Sequence, residues 1–160
     1  MKTANATWAI WLSLLAALVL HAFPLPWEWR WYRPEFVLLV LLYWNLALPH
    51  RVGIFSAAVT GFSLDLVNGT AVGPLAVGAV VSTLIVLLNY QRIRHFDALL
   101  QSLTMALLVG LTLVIERWIH NMLGVGAQGL AFIYPIPLTA VFWLGVRNIL
   151  RALRRYYEVE

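Results

Sequence analysis

The chain has 160 residues, 62% of them hydrophobic and 11% charged, with no cysteine and a formal net charge of +4. About 25% charged residues is usual for a soluble domain, and one core of this size cannot hide so much apolar surface, so a water-soluble fold is excluded. Disulfides and thiolate metal sites are excluded as well, and a mean hydropathy of +0.81 makes lipid the expected solvent for most of the chain.

A helix needs roughly 20 apolar residues to cross a bilayer. Six runs approach that length, at about 7–26, 34–49, 52–67, 73–90, 98–119 and 130–150. Runs such as FVLLVLLYW and LIVLLNY do not alternate apolar with polar residues, as transmembrane β-strands would. The expectation is an all-α polytopic membrane protein with about six transmembrane helices. It forms a single integral domain over 1–160 and ends in a basic tail at 151–160. The first run follows Lys2 but has no small-x-small cleavage site and is followed by five more spans, so it reads as a retained helix.

Basic residues prefer cytoplasmic connections. With the N-terminus inside, the inner set is Lys2, Arg51, Arg92, Arg94, Arg147, Arg151, Arg154 and Arg155, against Arg30, Arg33 and Arg117 outside. Both termini are therefore expected in the cytoplasm. The charge orients the chain and does not point to a nucleic-acid partner.

Between the first two runs, Trp27-Glu28-Trp29-Arg30-Trp31-Tyr32-Arg33 alternates aromatic with charged residues. Indole rings have an apolar body and a polar edge, so Trp27, Trp29 and Trp31 read as interfacial anchors. Ligand stacking or partner docking is the alternative. Asn45, late in the second run, is placed to bridge helices.

The third run carries small residues in steps of four, Gly53, Ala57 and Gly61, and the next step is Asp65. In lipid there is little hydrophobic drive for helix association, so close backbone approach must supply it. This stripe is a candidate helix-packing or partner-binding face, with Ser56, Thr60 and Ser63 beside it. An acid facing acyl chains is costly, so Asp65 is expected to point into protein. About 20 Å along the axis from Val52, it belongs to the outer half of the membrane. Asn68-Gly69 is a turn signal, and Gly73-Pro74 opens the fourth run with proline suited to a first helical turn. Three roles stand open for Asp65: bonding local turn amides or the next helix start, contacting a partner, or binding substrate or an ion.

The remaining runs carry fewer polar signals. Glu116-Arg117 ends the fifth on the outer side. His21, His50, His95 and His120 lie near span ends without metal-ligand spacing. The loop NMLGVGAQGL, followed by Pro135 and Pro137, predicts an irregular entry into the last run. There, Arg147, Arg151, Arg154 and Arg155 fall near one helical face. They are candidate contacts for anionic lipids, each worth about 1 kcal/mol near such a leaflet, or for an acidic cytoplasmic partner. No GxSxG, GxxxxGK[ST] or HExxH motif occurs. The chain reads as no enzyme, with no cofactor and no metal.

The segment RPEFVLLVLLYWNLALPHRVGIFSAAVTGFSLDLVNGTAVGPLAVG, residues 33–78, resembles the rod shape-determining protein MreD family. The match rests on Pro34, Tyr43-Trp44, Pro49, Gly53, Gly61, Asp65, Gly69 and Gly73 in that order. Span count, length and the Arg-rich end agree over the remainder. The resemblance implies a small multi-pass protein of the bacterial cytoplasmic (inner) membrane, in the complex for lateral wall elongation. MreC is the implied direct partner, with MreB and a glycosyltransferase–transpeptidase pair reached through it. The family fold is also similar to the membrane substrate-binding subunits of energy-coupling-factor transporters. The leading expectation is thus a non-enzymatic scaffold subunit. Its rival is a small-molecule-binding or transport subunit, which requires a cavity lined by convergent polar groups.

Overall fold

The computed structural model describes residues 7–126 and 129–157; Lys2 and the side chains of Arg30 and Trp31 lie outside the described residues. Among them are six α-helices and no strand: α1 (Thr7–Ala22), α2 (Phe36–Ala47), α3 (Ile54–Asn68), α4 (Pro74–Arg94), α5 (Ala98–Met122) and α6 (Pro135–Tyr156). Short 3-10 helices at Trp27–Tyr32 and Ala131–Ile133 lie in the α1–α2 and α5–α6 connections.

Three segments are long and apolar enough to cross a bilayer: Pro74–Arg94, Ala98–Met122, and Ala131–Tyr156, which contains α6. The first three helices are shorter, with 16, 12 and 15 residues. At 1.5 Å per residue these are about 24, 18 and 22 Å long, against roughly 30 Å of hydrocarbon.

The shortest helix sits at the centre. Every residue of α2 from Val37 to Ala47 is buried, and α2 touches all five other helices. A helix that is apolar all round finds its free-energy minimum when enclosed on every side. Its few polar groups are matched. Trp44 Nε1 donates to Ser13 Oγ of α1 at 2.8 Å. Asn45 Nδ2 donates to Leu41 O and to Thr83 Oγ1 of α4, at 3.0 and 3.3 Å. At its C-terminus, Arg94 donates to the carbonyls of Leu46 and Ala47 at 2.9 and 2.5 Å. These acceptors are otherwise left over by the helix ladder, and a cation suits that end of the dipole.

On one flank α4 lies between α3 and α5. A Cβ on Gly61 would collide with the backbone of Ala76, so α3 and α4 are in backbone contact there. On the opposite face, a Cβ on Gly78 would lie 2.7 Å from Thr112 O. Ser82 and Thr112 share a hydrogen bond of 2.8 Å, and each also bonds Leu108 O, at 2.9 and 3.1 Å. Small residues therefore set the spacing on both sides of α4, as packing in lipid requires. The buried apolar side chains of all six helices join in one cluster.

The last helix runs to Tyr156. Residues 151–156 of the expected basic tail thus lie within α6, and nothing in RNILRALRRY breaks a helix. Residues 158–160 lie outside the described residues.

Candidate functional site

The α1–α2, α3–α4 and α5–α6 connections gather at one end of the bundle, and Asp65 organises the middle one. It stands in the last turn of α3 and is 0% exposed. The Gly73 amide donates to its Oδ2 at 2.8 Å and the Leu75 amide to its Oδ1 at 3.3 Å. Pro74 occupies the first turn of α4 and has no N–H to offer. The carboxylate thus caps the start of the next helix, where free amides and the dipole favour negative charge. The Asp65 carbonyl in turn accepts the Thr70 amide at 3.2 Å. The turn closes because Gly69 adopts φ 65° and Gly73 φ 126°, a region open to glycine.

The structure brings together Asp65, Asn68, Gly69 and Gly73, with Gly61 two turns below Asn68 on α3. Ala57 is fully buried on the same helix. Gly53 stands apart, just before Ile54, and a Cβ there would meet nothing within 4 Å. The close α3–α4 approach is at Gly61. Ser63 bonds back to Val59 O at 2.8 Å within its own helix and does not bridge to a neighbour.

Above Asp65 lies a cavity of about 650 Å³. The lining includes His21 from α1, Arg33 and Glu35 from before α2, Asn68 at the end of α3, and Glu116 from α5, roofed by Trp27 and Phe132. His21 Nε2 pairs with Asn68 Oδ1 at 3.1 Å. Its Nδ1 is buried without a hydrogen bond and stands 4.0 Å from Glu35 Oε2. Arg33 donates to the carbonyls of His21 and, at 2.6 Å, Phe23, which ties the connection down over the C-terminus of α1. Glu116 Oε1 lies 3.8 Å from His120 Nδ1. The partner of His21 Nε2 is thus a side-chain amide. Among the described residues no group of three His, Cys, Asp or Glu is placed to hold a metal ion. What the arrangement offers is recognition: a volume within the ligand-pocket range, with acidic and basic groups facing the same space.

Sequence reading missed this cavity. The signal was available in weak form, since His21 closes α1, Glu35 precedes α2 and Glu116 lies late in α5, positions that an up-and-down helix order brings to one side. Gly78, Ser82 and Thr112 were missed too, although Gly78 and Ser82 are themselves four residues apart.

The other candidates are dispersed. Trp27 and Trp29 are 72% and 63% exposed, while the Trp31 side chain lies outside the described residues. Arg147 and Arg151 reach a small pocket at the opposite end, shared with Arg94; Arg154 and Arg155 follow on the last turns of α6.

The family model for the rod shape-determining protein MreD matches residues 2–153. The rod shape-determining protein MreD of Haemophilus influenzae is 30% identical over 165 aligned positions, covering 94% of this chain and 95% of that protein. No solved structure matches the chain. With the family model spanning nearly the whole sequence, the chain belongs to the rod shape-determining MreD family.

Proposed function

We propose that this chain is a non-enzymatic scaffold subunit of the bacterial cell-wall elongation complex, binding MreC directly and reaching MreB and the glycosyltransferase–transpeptidase pair through it. It acts as one integral unit in the cytoplasmic membrane, crosses it six times and keeps both termini inside. The distribution of basic residues supports that orientation. The short α2 crosses because protein surrounds it and meets its polar groups on all sides.

The observation that carries the scaffold reading is a lateral apolar groove. With Asp65 and Gly61 engaged inside the chain, the docking face lies elsewhere. α1 and α6 stand apart over α2 and leave a groove of about 440 Å³, lined by Ala9, Ser13, Ala17, Val40, Ile149 and Leu153 among others. Ala9 and Ala17 are buried against α2 and form the groove floor, while Leu12, Ala16 and Leu20 stand exposed along its α1 side at intervals of four, open to an incoming helix. The groove ends where Trp8 meets Tyr157 edge-on, with ring centroids 5.0 Å apart. A single transmembrane helix, as expected of MreC, fits this shape. Filling the groove with Ala16→Leu is expected to lower MreC recovery on co-purification about tenfold, the equivalent of 1.4 kcal/mol. Val141→Trp, outside the groove, leaves it unchanged. Full recovery with Ala16→Leu sinks the reading.

The cavity at the other site favours a second reading, a small-molecule-binding subunit akin to those of energy-coupling-factor transporters. An ordered ligand co-purifying with the wild type and absent from Glu35→Gln would support it.

A further inference from the structure

At the end of the bundle opposite Asp65, α2, α4, α5 and α6 enclose a pocket of about 100 Å³, lined by Tyr43, Arg94, Gln101, Trp143, Arg147 and Arg151 with two apolar neighbours. At about 30 Å³ per water, it has room for roughly three. Trp143 is among the lining residues and carries an indole N–H. The side chain is 0% exposed and the N–H has no acceptor. A buried donor is stabilised by an acceptor, and this one belongs to a residue of the pocket lining.

Three arginines line the same pocket. Trp143, Arg147 and Arg151 follow at intervals of four on α6 and so share one face. Neither arginine has a carboxylate within 4 Å among the described residues. Arg94 has given its Nε and one Nη to the α2 carbonyls and adds charge from the far wall. Gln101 donates to Ile93 O at 3.3 Å, and its Oε1 is buried without a donor, which suits a hydroxyl next to an anion.

We propose that this pocket binds a phosphate group, with the Trp143 indole N–H as its floor and Arg147 and Arg151 as its walls. A planar carboxylate is satisfied by one guanidinium fork. Donors arriving from a floor and two walls match the spread oxygens of a phosphate, to which charge-assisted bonds are strong. Two sources supply that chemistry, an anionic lipid headgroup and free phosphate. Only the lipid source rests on the proposed placement of this end at the inner leaflet.

The full chain in detergent, offered phosphatidylglycerol and phosphatidylcholine equally, is examined by native mass spectrometry, and inorganic phosphate is titrated in parallel by phosphorus NMR line broadening. The expected result is retention of phosphatidylglycerol about five- to tenfold over phosphatidylcholine. That preference falls to parity in the Arg147→Gln/Arg151→Gln double variant. It falls severalfold in Trp143→Phe, which keeps the ring and removes the donor. Broadening of the phosphate signal that Trp143→Phe abolishes supports the site with free phosphate as source. Absence of both signals overturns the proposal. So does a loss with Arg155→Gln as large as with the double variant, because diffuse surface charge would then explain retention. MreC recovery with the same variants is scored separately, so failure of the phosphate site leaves the scaffold reading standing.

Discussion

At the scale of single residues, Asp65 ties the end of α3 to the start of α4. Its carboxylate satisfies two amides at the start of α4 from within α3. Asp65→Ala leaves both buried N–H groups without a partner, at about 1–3 kcal/mol each. Asp65→Asn keeps one acceptor. Thermal unfolding in detergent is therefore expected to rank Ala well below Asn, and Asn below wild type; an equal effect of the two would mean size alone matters. A second contrast separates two glycines of the same stripe. Gly61→Ala forces α3 away from Ala76 and is expected to cost about 1–3 kcal/mol by overpacking. Gly53→Ala, at φ −134° and in open space, is expected to stay within about 0.5 kcal/mol.

At the scale of helices, the turn between α3 and α4 was legible because each of its devices is local: a turn glycine, a proline at the next helix start and an acid eight residues before the amide that donates to it. The six apolar runs were equally legible. What stayed hidden depends on helix neighbours. The hydropathy of α2 fits a lipid-facing span as well as an enclosed one, and only the packing of five other helices decides between them. The polar cavity was missed for the same reason. His21 comes from α1, Glu35 from just before α2 and Glu116 from α5, and each has an innocuous local explanation. The α4–α5 contact offers a test at this scale. Thr112→Val deletes a buried hydroxyl bonded to Ser82 and Leu108, and cross-helix bonds in membrane proteins average about 0.6 kcal/mol. A loss of that order is expected in chemical denaturation, with Ser82→Ala adding little to it.

At the scale of the whole molecule, the proposed orientation is open to a direct check, because the chain contains no cysteine of its own. Ala71→Cys, in the α3–α4 turn, is expected to react with an impermeant maleimide in intact cells. His50→Cys, in the α2–α3 connection, is expected to react only after permeabilisation. The reverse pattern would invert the topology and move the phosphate pocket to the outer leaflet. The cavity and the small basic pocket lie at opposite ends of the bundle, with α2 between them.

Helices α1 and α3 are about 24 and 22 Å long, while α4, α5 and α6 are about 31, 37 and 33 Å with their charged ends included. A bilayer accommodates such a step by thinning on one flank or by tilting the taller posts, at a fraction of a kcal/mol per ångström. Because α1 and α3 fall short of roughly 30 Å of hydrocarbon, the protein reconstituted into discs of short-chain lipid should melt at a higher temperature than in long-chain discs.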